Sequence, residues 1–200
     1  MILKQLDHAG LADVHAKIVA GQRLSSADGL SLYDCPDLAA LGYLANLVRE
    51  ARHGDTTYYV RNQHINYTNV CNKLCRFCSF YVKPNHERGY VLEAEQVAER
   101  VREYADVPIT EIHMVGGVNP KLPYQYYLDV LGAMKRARPE AHLKAFTMIE
   151  IAQIHRLAKK PIEEVFADLR EAGLESIPGG GAEVFSDRVH EDLFWTKSDS

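Results

Sequence analysis

Cys71, Cys75 and Cys78 lie within eight positions of one another in "NVCNKLCRFCSFY", spaced C-x3-C-x2-C, while Cys35 stands far away in the chain. An odd trio cannot close into disulfides among itself, and clustered thiols in a reducing compartment stay free or bind metal. The trio therefore reads as a ligand set, and two metals suit it. A structural zinc wants four tetrahedral ligands, and the fourth would have to be His64 or His86 from outside the loop. A [4Fe-4S] cube held by three thiolates instead keeps one iron without a protein ligand, open to a small molecule. Cys35, just before Pro36, packs or caps a helix and is assigned no chemistry.

Something must hold that loop in place. Short β-branched or apolar runs at 64–68, 111–115, 142–147 and 175–177 read as strands. Amphipathic helices are expected at 94–104 and 124–136, with another opened by Pro161 and stopped at Gly173. This alternation predicts an α/β fold, a (βα) barrel sheet with parallel strands, in which the special residues gather at the strand C-termini. The cysteines, "GGVNP", "TMIE" and "GGGAE" all fall there. Residues 1–54 read as a helical extension with helices at 7–19 and 35–52, the second opened by Pro36, and residues 55–200 as the barrel part.

The 200 residues, 46% hydrophobic and 25% charged, suffice for one real core. A net charge of -4 without long runs of like charge offers no footprint for nucleic acid or for a membrane surface, so a small molecule is the expected partner. The start "MILKQLDHAG" is not a signal peptide and no stretch has the ~20 apolar residues of a membrane span, which predicts a cytoplasmic protein.

The cysteine spacing, its place after the first strand and Phe77 before the last cysteine resemble the radical S-adenosylmethionine superfamily. "RNQHINYTNVCNKLCRFCSFY", "GGVNPKLPYQYYLDVL", "KAFTMIEI" and "GGGAEVFSDRV" are similar to its menaquinone (futalosine-pathway) and deazaflavin branch, from Leu24 to the end, and His64 in "HINYTN" resembles the aminofutalosine synthases most. The resemblance implies a [4Fe-4S] cluster on Cys71, Cys75 and Cys78, with S-adenosylmethionine consumed as co-substrate and an electron donor such as flavodoxin or ferredoxin. It implies that the 5'-deoxyadenosyl radical adds to the enolpyruvyl benzoate 3-[(1-carboxyvinyl)oxy]benzoate to give 6-amino-6-deoxyfutalosine. The relatives in view include cyclic dehypoxanthinyl futalosine synthases, which use the radical for hydrogen abstraction. By the same resemblance, the Phe77 backbone lies by the adenine and Gly116 and Gly117 receive the methionine amino group, although Val118 stands where an acidic residue is often found.

Other positions carry weaker expectations. His64 is expected at the barrel mouth as a contact for a substrate carboxylate, or as an interior histidine. Asn66, Thr68 and Asn69 read first as loop support, and Asn66 also as a substrate contact. Glu150 is assigned to the S-adenosylmethionine side and Glu183 to the substrate side, each with helix N-terminal placement as the alternative. Gly179 to Gly181 after Pro178 allow close approach to a ligand, or simply make a tight loop. Lys73 and Arg76 flank the cysteines, where they would offset thiolate charge or, by the blander reading, are solvated side chains. Finally, an eightfold barrel takes about 250 residues, and here there is room for about four βα units, so the sequence reads as the N-terminal half of a longer barrel with an apolar inner face exposed, expected to hold the cluster weakly at best and not to turn over alone.

Overall fold

The computed structural model describes residues 2–180, 183–194 and 196–197. The chain divides into two units between Tyr59 and Val60. In the first, helices α1 (Ile2–His8), α2 (Ala12–Val19), α3 (Ser26–Asp34) and α4 (Leu38–His53) bury Leu6, Leu11, Val14, Cys35, Ala40 and Leu44. The single helix expected at 7–19 is two. Gly10 takes a left-handed φ of 68°, and the Leu11 N–H turns back to the Leu6 carbonyl at 2.8 Å, a stop that glycine reaches without a Cβ clash. Helix α3 is unforeseen, yet its signal is present: Ser25 and Asp28 cap each other reciprocally. Hydrogen bonds from Lys17 and Ser25 hold the Asp28 carboxyl down at about 2. Asp37, not Pro36, sets the start of α4, its Oδ1 accepting the N–H groups of Ala39 and Ala40 at 3.0 Å.

The second unit is a sheet under a layer of helices. Strands β1 (Asn62–Ile65), β2 (Glu111–Met114) and β3 (His142–Ala145) are parallel in the order β1-β2-β3. Helices α5 (Ala94–Arg102), α6 (Tyr124–Ala137), α7 (Met148–Ala158) and α8 (Ile162–Glu171) follow the strands, and α9 (Asp187–Phe194) comes last. Side chains alternate across a strand, so Ile65, Ile112, Met114, Leu143 and Ala145 share one face. They bury themselves with Val97 and Val101 of α5, Val130 and Met134 of α6, Ile154 of α7 and Val165 and Leu169 of α8. The fourth strand expected at 175–177 shrinks to one parallel bridge, Lys144 to Ser176. Its pairing is cut short because the Glu175 carboxylate accepts the Leu143 N–H at 2.7 Å, where backbone ladder would otherwise continue. The arrangement is that of a partial (βα) barrel.

The opposite, inner face corrects the expectation of an apolar surface. It carries His64 from β1, Glu111 and His113 from β2, and His142 and Lys144 from β3. Lys144 Nζ lies 2.8 Å from Glu111 Oε1, and His142 Nε2 lies 2.7 Å from Ser176 Oγ. Charge and hydrogen bonding, not apolar packing, govern that side. No helix among the described residues is long and apolar enough to cross a membrane.

Ile112 is fully buried at the centre of the middle strand. Ile112→Ala should lower the stability of the second unit by about 2–5 kcal/mol, the range for a large-to-small change in a packed core. Urea unfolding followed by far-UV circular dichroism measures it; a midpoint that does not move would contradict the packing described.

Candidate functional site

The chain leaves β1 through a short segment that the side chains of Asn66, Thr68 and Asn69 fasten. Asn66 Nδ2 donates to the Val115 carbonyl at 2.9 Å, joining the exits of β1 and β2. Thr68 Oγ1 donates to Tyr90 O at 2.6 Å, and Asn69 spans Arg88 O and Tyr90 N, both at 2.9 Å. Loop support is therefore what Thr68 and Asn69 do, and the amide of Asn66 is also engaged in it. The cysteine loop then hangs from two backbone bonds, Cys71 N to Val82 O at 3.0 Å and Asn72 N to Val118 O at 3.1 Å, and it turns at Leu74 with φ 50°.

Cys75 is buried and Cys71 and Cys78 are half-buried. Burial pushes the Cys75 thiol up, Lys197 opposes it, and Cys71 and Cys78 add to the rise, so the three sulfurs share one electrostatic environment. Among the described residues, no three His, Cys, Asp or Glu side chains converge on a point where a single metal ion would sit. Neither histidine is placed as a fourth ligand: His86 Nδ1 accepts the Arg88 N–H at 3.1 Å, and the His64 ring packs on His113. A cubane distributes three thiolates over three different irons, so its ligand sulfurs need not meet at one point, and three thiols on one short loop fit that donor set.

Against this loop lies the turn after β2. A Cβ on Gly117 would stand 2.3 Å from Val70 O and 3.0 Å from Cys71 Cβ; one on Gly116 would stand 2.7 Å from the Tyr67 ring. The glycine pair lets the end of β2 lie directly on the stem of the cysteine loop, and the Gly117 N–H donates to Thr68 O at 2.9 Å. Val118 is buried beside it.

Glu150 lies in the interior, behind the glycine turn. Only 2% exposed, it accepts from the Tyr67 hydroxyl at 2.7 Å and the Gly116 N–H at 3.1 Å through Oε1, and from the Thr147 N–H at 2.7 Å through Oε2. It also closes a reciprocal cap with Thr147 at the start of α7, which is the helix N-terminal alternative. Burial raises its carboxyl to about 6 against the pull of these donors. Tyr67, fully buried, packs edge-on against Tyr127 and Phe146 at 6.2 and 5.9 Å between centroids.

The remaining expected residues spread around the rim. Phe77 is half exposed, with Lys197 Nζ 5.7 Å from its ring centroid. Glu183 is exposed and paired with the same Lys197. Gly180 packs on Thr147, where a Cβ would come within 3.0 Å, a tight loop; Gly181 lies outside the described residues. Arg76 is not merely solvated: its N–H donates to Leu193 O at 2.7 Å and its guanidinium meets Asp192 at 2.5 Å, tying α9 to the cysteine loop. Cys35 belongs to the other unit's core. Thus Cys71, Cys75, Cys78 and Gly117 come together, Glu150 stands behind Gly116, and His64 looks onto the inner face. The sequence reading missed Lys197, His113 and Lys144; for the last two the signal was strand alternation, which puts both on the His64 face.

Residues 65–196 match the model of the Radical SAM superfamily. The chain is 41% identical over 183 residues to the aminodeoxyfutalosine synthase of Thermus thermophilus, covering 92% of this chain and 49% of that protein. It is 40% identical over 174 residues to the cyclic dehypoxanthine futalosine synthase of Halalkalibacterium halodurans, covering 86% and 47%. The crystal structure of methylornithine synthase superposes with a TM-score of 0.67 at 16% identity, over 90% of this chain and 50% of that one. The chain spans about half the length of the curated relatives it matches.

The folded Glu150 carboxyl holds its proton more tightly than the unfolded one, so it favours folding below about pH 4.5 and loses that contribution as pH rises through about 6. Between pH 4.5 and 7 the loss should approach roughly 2 kcal/mol. Glu150→Gln should flatten that part of the stability profile relative to the parent chain in parallel urea titrations; an unchanged difference would place the titration elsewhere.

Proposed function

The chain belongs to the radical S-adenosylmethionine superfamily, and from that premise we propose that it carries the cluster-binding half of an aminodeoxyfutalosine synthase. The reaction breaks the C5'–S bond of S-adenosylmethionine with release of methionine, joins the 5'-deoxyadenosyl group to 3-[(1-carboxyvinyl)oxy]benzoate, and after loss of one carboxylate as bicarbonate or CO2 gives 6-amino-6-deoxyfutalosine. When bound, the [4Fe-4S] cluster supplies the electron that opens the sulfonium. The protein's own part is placement. Cys71, Cys75 and Cys78 hold the cluster, the Phe77 backbone takes the adenine edge, and the carbonyls of the Gly116–Gly117 turn take the methionine amino group. Glu150 serves S-adenosylmethionine through Gly116, whose N–H it fixes. His64 from β1, Asn66 just after it and Glu183 at the rim face the substrate. Alignment of the reacting carbons and exclusion of water are worth more in such a reaction than any proton transfer. The cytoplasm, with flavodoxin or ferredoxin as reductant, is the setting that suits it.

The observation that carries the choice within the superfamily is His64 on the inner face of β1, one residue before the strand ends. Similarity alone does not separate the two menaquinone activities, since the relatives stand at 41% and 40%. Anaerobic reconstitution with iron and sulfide of the chain joined to the remaining half of a curated relative, followed by product analysis with S-adenosylmethionine, a reductant and each candidate substrate, separates them. Aminodeoxyfutalosine from the enolpyruvyl benzoate supports the proposal. A cyclised product from dehypoxanthine futalosine alone would replace it, and a colourless zinc protein would refute the superfamily chemistry for this chain.

Two substitutions sharpen the assignment. Alanine at Cys71, Cys75 or Cys78 should each abolish stoichiometric iron and sulfide, whereas Cys35→Ala should retain them, because Cys35 lies in the other unit. Elemental analysis reads this directly, and retention by Cys78→Ala would break the ligand set. His64→Asn should reduce product formation by about tenfold or more while sparing S-adenosylmethionine cleavage, as loss of a hydrogen bond to a charged group does. Equal loss of both would move His64 to support of the loop.

A further inference from the structure

We propose that His64, His113 and Lys144 form one carboxylate-binding subsite across the inner face of the sheet, and that it takes a carboxylate of the substrate. The three are register partners in a single row, His64 to His113 and His113 to Lys144. Each is the third residue of a four-residue strand, so the row lies one residue below the rim from which the cysteine loop, the glycine turn and α7 depart. The imidazoles of His64 and His113 meet edge to face at 5.2 Å. Lys144 Nζ lies 2.8 Å from Glu111 Oε1 as an ion pair without hydrogen-bond geometry, and so keeps its protons to donate.

His113 points to the ligand's charge. Its Nε2 is buried and has no hydrogen-bond partner among the described residues, an arrangement that costs stability unless another group supplies the bond. Burial lowers its basicity, the charges of His64 and Lys144 lower it further, and Glu111 opposes them. An anion set between the three would relieve both conditions, accepting from Nε2 and offsetting the local positive potential. A planar carboxylate, with two oxygens, can bridge adjacent donors along the row.

The subsite rests on the reading of a carboxylate-bearing substrate given above, but its test is independent of the cluster. Side-chain 15N NMR of this chain, titrated with benzoate, should show saturable shifts of the His113 and His64 ring nitrogens, with His113 titrating at a higher pH when benzoate is bound. Benzamide, the neutral isostere, should give none. Lys144→Met should weaken benzoate by about tenfold, and Lys144→Arg should recover most of it. His113→Gln supplies a second variant should Lys144→Met fail to fold. Absence of a benzoate shift, or inorganic phosphate binding as well as benzoate, would overturn the subsite. A benzoate shift at His113, together with no product from the enolpyruvyl benzoate when the chain is joined to the remaining half of a curated relative, would instead refute the proposed reaction and leave the subsite standing.

Discussion

The buried carboxylate of Glu150 is the constraint on which the site's geometry depends. One donor reaches it from the exit of each strand: the Tyr67 hydroxyl after β1, the Gly116 N–H after β2 and the Thr147 N–H after β3. An ionised group in an apolar surrounding is tolerated only when its oxygens are hydrogen-bonded. The three exits are therefore held to one small volume, because moving any of them strands a charge. The glycine turn, and through it the stem of the cysteine loop, inherits its position from this junction.

The sheet divides labour by face. Toward the helices it is apolar and closely packed, and this is where the stability of the unit resides. Toward the inside it is a row of imidazoles, an ammonium and a carboxylate, poorly suited to packing and well suited to holding a charged molecule. The loops above the rim add the thiols. Scaffold and chemistry are thus separated by no more than the thickness of a strand, and alternate residues serve each.

Much of this was legible in the sequence. The three strands and the helices α5, α6 and α8 follow from hydrophobic periodicity, and the cysteine spacing with the glycine pair marks the site without any tertiary information. What escaped has identifiable causes. The break between α1 and α2 hangs on one left-handed glycine inside an otherwise continuous apolar stripe. Helix α3 has a weak stripe and declares itself only through its cap. The fourth strand lost its ladder to a side chain, Glu175, which no propensity reveals. Glu150 looked like a rim carboxylate because its position after a strand is the same whether it faces a ligand or the interior. Only the tertiary placement of Tyr67 decides between them. The inner face was expected to be apolar because a barrel interior is usually filled by its own side chains; the alternation of His64, His113 and Lys144 with buried aliphatics contradicts that.

The contact between Gly117 and Val70 has an evolutionary meaning. Every other amino acid carries the Cβ that would stand 2.3 Å from the Val70 carbonyl, so position 117 has no neutral neighbours in sequence space. The side chains of the inner-face row are under no such steric bar, since none of them replaces a glycine against backbone. Lineages cannot drift at the glycine on which the cysteine loop rests. The resulting mutational landscape is uneven, closed at the glycine turn and open on the inner face of the sheet.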